Sequence, residues 1–253
     1  MSHLMLISFV ALLAGVINSI AGGGTLLTFP ALLWIGVDPI LANATNTVAL
    51  WPGSLAGVVG FRRDLALVRR WMLFLTIPAL VGGGLGAVIL LHTSSRTFSR
   101  IVPFLILGAT LLLAGQELIS RRMSLLVDEH RLPSRRAIAL AFAFQFLVGI
   151  YGGYFGAGIG ILMLAALGLI GMRDMHQMNG LKNLLAICIN GVAAIYFMAS
   201  GAVLWHHALV MAAASIVGGY AGARLAQRLG RRFVRGVVVT IGLVMAVALF
   251  VRG

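Results

Sequence analysis

The stretch that decides the fold is Gly15-Val16-Ile17-Asn18-Ser19-Ile20-Ala21-Gly22-Gly23-Gly24-Thr25-Leu26-Leu27-Thr28-Phe29-Pro30. It has an echo in Gly149-Ile150-Tyr151-Gly152-Gly153-Tyr154-Phe155-Gly156-Ala157-Gly158-Ile159-Gly160. Gly15 matches Gly149 and Gly22 matches Gly156, both at a spacing of 134 residues. Each stretch is an apolar run broken by glycines. A broken helix frees backbone N–H and C=O groups, which hydrocarbon cannot satisfy, so such breaks belong inside protein or beside a wet cavity. Interrupted hydrophobic segments at corresponding places in two repeats point to a transporter's substrate site.

Composition supports the membrane reading. Hydrophobic residues make up 60% of the 253, charged residues 10%, and mean hydropathy is +1.04. A soluble domain is nearer a quarter charged, so the chain reads as an all-α polytopic membrane protein. Met1-Ser2-His3-Leu4 has no basic n-region and no cleavage site follows, so the first apolar run is expected to be a retained span rather than a signal peptide.

Ten segments are expected. They cover about 4–21, 24–36, 40–60, 71–91 and 101–120, then about 137–155, 158–171, 180–200, 205–223 and 234–251. The halves are therefore 1–120 and 137–253, joined by a cytoplasmic linker at 121–136 that holds Asp128, Glu129 and Pro133. A full crossing needs ~20 residues, so 24–36 and 158–171 are half-helices, steep short spans or limbs of re-entrant hairpins. Five segments per half is an odd number, which inverts the second repeat relative to the first. Gly86-Ala87 and Gly222-Ala223, 136 apart, extend the match.

Net charge is +13, and eighteen of the nineteen basic residues are arginine. They cluster between apolar segments, which argues for topology and against nucleic acid. Arg62, Arg63, Arg69, Arg70, Arg121, Arg122, Arg131, Arg135, Arg136, Arg173, Arg224, Arg228, Arg231, Arg232 and Arg235 fall on one side if every segment crosses; Arg96, Arg100 and Arg252 fall on the other. Fifteen against three makes the first side cytoplasmic and both termini non-cytoplasmic.

The residues that could hold a substrate are few. Gly22, Gly23, Gly24 and Thr25 open a short helix whose N-terminal amides favour an anion, with Asn18 and Ser19 as further donors. Gly153, Gly156 and Gly158 are their counterparts. The competing reading is that these glycines only let helices pack closely. Asn43, Thr45 and Asn46 lie in an apolar span and need partners; Lys182 and Asn183 match them at an offset near 137, with Asn179 and Asn190 flanking. Lys182 is the only lysine. It either faces a cavity as a fixed positive charge or snorkels to the interface. Asp38, Asp64, Asp128, Glu129 and Asp174 fall in expected loops, and Glu117 lies at a span end near Arg121-Arg122. A cation carrier would place acids in the membrane; a neutral set plus one lysine suits an anion. Proton coupling would have Lys182, Glu117 or the substrate itself as carriers.

Other features read as structural. His206-His207 beside Trp205 form an interfacial pair without a third metal ligand, and Cys188 is a lone buried thiol. Trp34, Trp51 and Trp71 are anchors or packing. Pro30, Pro52, Pro78 and Pro103 are expected kinks, with Pro52-Gly53 the one that opens the third segment. No hydrolase elbow, zinc-protease helix or phosphate loop occurs, so the chain is expected not to be an enzyme and to need no cofactor or metal.

At these residues the chain resembles the TauE/SafE family of membrane proteins, over nearly its whole length. Gly15, Gly22-Gly23-Gly24, Pro30 and Leu32 carry the first match, followed by Ala42-Asn43-Ala44-Thr45-Asn46. Gly149, Tyr151-Gly152-Gly153, Phe155-Gly156, Gly158 and Gly160 carry the second, followed by Lys182-Asn183. Leu164 departs from the pattern where a mirrored Pro30 would stand. The resemblance implies a bacterial inner-membrane permease or exporter of an anion such as sulfite, a sulfonate such as sulfoacetate, or a small organic acid. The partners expected are that anion and the bilayer, with homo-oligomerisation left open. The alternatives are an anion channel or uniporter, a carrier of small carboxylates, and, last, a membrane enzyme or sensor.

Overall fold

The computed structural model describes residues 2–20, 23–60, 62–126, 134–172, 174–229 and 231–252. Among these there are eleven helices and no strand. They are α1 (Ser2–Ile20), α2 (Thr25–Trp34), α3 (Pro39–Gly60), α4 (Arg62–Leu67), α5 (Arg69–His92), α6 (Ser95–Leu126), α7 (Arg135–Tyr154), α8 (Ile159–Leu169), α9 (Met175–Ala199), α10 (Trp205–Leu229) and α11 (Arg231–Arg252). Each expected segment coincides with a helix. Four stretches, Arg69–His92, Ser95–Leu118, Arg135–Tyr154 and His176–Ala199, are long and apolar enough to cross a membrane. By contrast α2 and α8 have 10 and 11 residues. At 1.5 Å per residue they reach about 15–17 Å, half of a ~30 Å hydrocarbon core.

Three expectations are corrected. The loop expected after segment three contains α4, so Arg62, Arg63 and Asp64 lie on a helix rather than in open chain. The expected linker is shortened at its first end, because α6 runs on to Leu126; Arg and Leu propagate a helix well once it has started. Residues 127–133 of that linker, with Asp128, Glu129, Arg131 and Pro133, lie outside the described residues, as does Arg173. Finally, α3 is not opened at Pro52-Gly53, since helix continues through both. A proline removes one N–H and frees one carbonyl. Here Ser215 Oγ on α10 donates to the neighbouring Ala49 carbonyl at 3.2 Å, which supports that turn from outside the helix.

Two aspartates expected in loops cap the helices that follow them. Asp38 Oδ1 accepts from the Ile40 and Leu41 amides at 2.9 and 3.3 Å, and Asp174 Oδ1 from His176 and Gln177 at 2.8 and 3.0 Å. Both satisfy orphan N–H groups of a first turn, one in each half.

The closest helix pairings are α1 with α10 and α5 with α7. They are made by glycines. An added Cβ at Gly15 would meet the Gly219 nitrogen at 2.8 Å, and one at Gly149 the Gly83 nitrogen at 3.2 Å. Likewise Gly218 rides over the Leu12 carbonyl, while Gly82 rides over the Phe146 carbonyl. Every partner is displaced by 134 or 136 residues from its counterpart. The rest follows the same exchange: α3 meets α10 as α9 meets α5, α2 meets α11 as α8 meets α6, and α3 with α9 and α6 with α11 pair directly. Backbone contact this close gives dispersion energy without large side chains, the usual means of holding helices together in lipid. At the edge of this frame Phe29, Phe98, Tyr154 and Phe155 stack edge to face, 5.4–6.4 Å between centroids, and tie α2 to α6 and to the end of α7.

Candidate functional site: two helix breaks and the polar residues beside them

The first break lies between α1 and α2. Gly23 has φ +98°, a left-handed conformation that a side chain would strain. The Gly24 amide donates to Asn18 Oδ1 at 2.7 Å, so Asn18 caps α2 from across the break. One of the amides expected to face an anion is thus engaged by the protein. Gly22 and the side chain of Ser19 lie outside the described residues; Thr25 is half-buried.

The second break lies between α7 and α8. The Phe155 and Gly156 amides return to the Tyr151 carbonyl at 2.9 and 3.2 Å. Gly156 and Gly158 then take φ of +82° and +75°. Tyr151 Oη donates to the Ala157 carbonyl at 2.8 Å and pins the turn. Gly153 stands just outside it, inside α7, where its bare Cα faces the Gly83 backbone of α5.

The α3 cluster is fully buried and knits the two halves together. Asn43 Nδ2 donates to the Tyr154 carbonyl at 2.9 Å, at the rim of the second break. Thr45 Oγ1 accepts from the Leu204 amide at 3.0 Å, at the start of α10. Asn46 Oδ1 accepts from Thr28 Oγ1 on α2. These bonds run across elements, as polar groups in a membrane interior require, and leave only Asn43 Oδ1 of the cluster's side-chain atoms buried without a partner among the described residues.

The α9 cluster is different in character. Lys182 is half-buried, its stem lying against Gly160 of α8, where an added Cβ would come within 3.2 Å of Cδ. Its Nζ donates to Asn179 Oδ1 at 3.0 Å, one turn back along α9. Asn183 and Asn190 are also half-buried, and Asn190 Oδ1 lies 3.6 Å from the position of a Cβ on Gly156. So Lys182, Asn179 and Asn190 gather around α8 and the second break, while Asn43, Thr45 and Asn46 gather around α2 and the rims.

Sequence reading passed over two residues here, Thr28 and Gln145, and took Trp51 only as an anchor or packing. Trp51 donates from Nε1 to the Ile187 carbonyl at 3.2 Å and packs on Gly191, at the α3–α9 crossing. Thr28 is the partner of Asn46. Gln145, on α7, is wholly buried. A threonine, a tryptophan donor and a glutamine within apolar runs are each a sign of an internal partner. Outside the site, Glu117 meets Arg235 of α11 at 3.0 Å. His206 and His207 open α10 with their rings 6.2 Å apart.

Paired half-helices beside glycine-zippered spans define a multi-pass membrane protein of the transporter class. The family model described as "Sulfite exporter TauE/SafE" matches residues 7–249, and the chain belongs to that family. It is similar to a "Probable membrane transporter protein" of Haemophilus influenzae, 30% identical over 243 residues, covering 93% of this chain and 90% of that one. It is also similar to the "Probable membrane transporter protein YfcA" of Escherichia coli K12, 32% identical over 246 residues (95% and 87%). A Sinorhizobium "Probable membrane transporter protein ORF9" is 29% identical over 251 residues (98% and 92%). The chain is accordingly a membrane transporter and not an enzyme.

Proposed function

We propose that the protein carries a small anion, a sulfur-containing oxyanion or organosulfonate, by alternating access between two inverted halves. The observation that carries this reading is Lys182 lying against Gly160 at the start of half-helix α8. There a fixed positive charge stands near the positive end of a helix dipole, and a small anion is the cargo that such a pair attracts. The exchanged packing of the halves supports the inverted repeat, because a pseudo-two-fold axis in the membrane plane generates it. The family description supports the sulfur chemistry.

Counterflow separates a carrier from a pore. Proteoliposomes loaded with unlabelled sulfite should accumulate labelled sulfite transiently above equilibrium, since a carrier exchanges one anion for another. Uptake without trans-stimulation would identify a channel or uniporter, and counterflow with acetate or malonate alone would identify a carboxylate carrier.

Orientation follows from the arginines. The fifteen-to-three bias supports a reading in which both termini lie outside the cytoplasm of a bacterial inner membrane. Reporter fusions at each end, active only when exported, should both be active. Activity at one end only would break the ten-crossing parity.

A further inference from the structure

Gln145 has 0% exposure, and neither its Nε2 nor its Oε1 has a hydrogen-bond partner among the described residues. A buried amide left unpaired at both ends is costly. The fold does not require one there. At the repeat offset of 134 the counterpart is Ala11, equally buried at 0%. The first half closes the same place with a methyl group.

Around the axis of α7 its direction lies between those of Gly149, which packs on Gly82 and Gly83 of α5, and Gly152. Gln145 and Gly152 are seven residues apart, so their directions differ by only ~20° around the helix. Gly152 faces Ile189 of α9 and Ile159 of α8, where an added Cβ would lie 2.8 and 3.4 Å from their side chains. Seven residues before Ile189 stands Lys182. Gln145 and Lys182 therefore project from facing sides of α7 and α9, each two turns (about 10 Å) toward the arginine-rich end, with α8 packed on both helices.

A second buried oxygen has the same need. Asn43 Nδ2 donates to the Tyr154 carbonyl, which can only accept, so the orientation of that amide is fixed. Asn43 Oδ1 is left buried without a donor among the described residues. A fully deprotonated oxyanion offers lone pairs alone and would leave the Gln145 Oε1 without a donor. A carboxamide edge, one donor beside one acceptor, is instead complementary to an X=O group beside an O–H.

We propose that Gln145 is a ligand of the transported anion and that the cargo is a monoanion carrying its own O–H. An oxyanion that keeps one proton and a hydroxylated sulfonate both fit. Nε2 donates to an anionic oxygen and Oε1 accepts from the hydroxyl, while the Lys182 charge offsets the negative charge. This rests on the anion-carrier reading and narrows its substrate class.

The test uses the full-length protein in proteoliposomes, with counterflow of labelled 2-hydroxyethanesulfonate against labelled ethanesulfonate. The two share charge and skeleton and differ by one hydroxyl. The wild type should exchange the hydroxylated one at least about tenfold better, because a site built to pair a hydroxyl rejects the analogue that lacks it. Gln145→Leu should erase that preference while melting at or above the wild-type temperature. Gln145→Met replaces it if leucine gives no folded protein. Equal exchange of the two sulfonates by the wild type, alongside normal exchange of labelled sulfite, overturns this proposal and leaves the carrier standing. An unchanged preference in Gln145→Leu also overturns it, and means that the amide holds a structural water only. A wild type that exchanges none of the three removes the carrier reading and this proposal with it.

Discussion

Gly153→Ala should lower the stability of the purified protein by about 3 kcal/mol or more, and Gly153→Leu should give no folded protein. The cause is backbone against backbone. A Cβ on Gly153 would overlap the Gly83 carbonyl oxygen and approach its carbon to 2.8 Å. Neither helix can yield by turning a side chain, so α5 and α7 must separate along a contact that joins the first half to the second. Overpacking a well-fitted core costs ~1–3 kcal/mol when side chains can adjust, and larger losses belong to sites that cannot relax. Gly218→Ala should behave alike, because its Cβ would overlap the Leu12 carbonyl at the matching α1–α10 contact. Gly108→Ala and Gly236→Ala are the controls. Nothing stands within 4 Å of either Cβ, and alanine there gains up to ~1 kcal/mol of helix propensity. Thermal melts in detergent check all four. Gly153→Ala melting with the controls would show that α5 and α7 are not in such close contact.

That contrast between glycines explains what was legible in the sequence and what was not. The apolar runs set the helices, and their lengths marked α2 and α8 as half-length, because hydropathy and rise per residue are local properties. The paired glycines were legible as well, at offsets of 134 and 136 residues. Which glycine breaks a helix and which one packs was not. Gly23, Gly156 and Gly158 take left-handed backbone, while Gly15, Gly82, Gly149, Gly153 and Gly218 stay helical against a neighbouring backbone. The difference is set by what lies across the contact. Gly153 and Gly156, three residues apart in one motif, thus have different roles. The same limit applied to the α3 cluster. An Asn-Ala-Thr-Asn run in a span demands partners, but the Tyr154 carbonyl and the Leu204 amide are 111 and 159 residues away. Short α4 was hidden for another reason: six residues with three charges carry no apolar period to read.

Lys182→Met should weaken anion binding by roughly ten- to a hundred-fold while leaving the protein folded. Methionine keeps an unbranched apolar stem against Gly160, so packing on α8 is largely conserved. Only the ammonium is lost. A hydrogen bond to a charged group contributes on the order of 1.5–3 kcal/mol, and ~1.4 kcal/mol is one decade of affinity. The ammonium already holds Asn179 Oδ1 at 3.0 Å with one of its three protons, and that bond orients the head between α9 and α8. Lys182→Arg should recover part of the affinity, since the charge returns in a planar group of different reach. Titration of sulfite or a sulfonate against the purified protein, read by thermal shift, measures all three forms. If Lys182→Met folds and binds with wild-type affinity, the lysine is a membrane anchor paired with Asn179. The anion would then have to be held by the backbone amides at the breaks, among which Asn18 already occupies that of Gly24 at 2.7 Å.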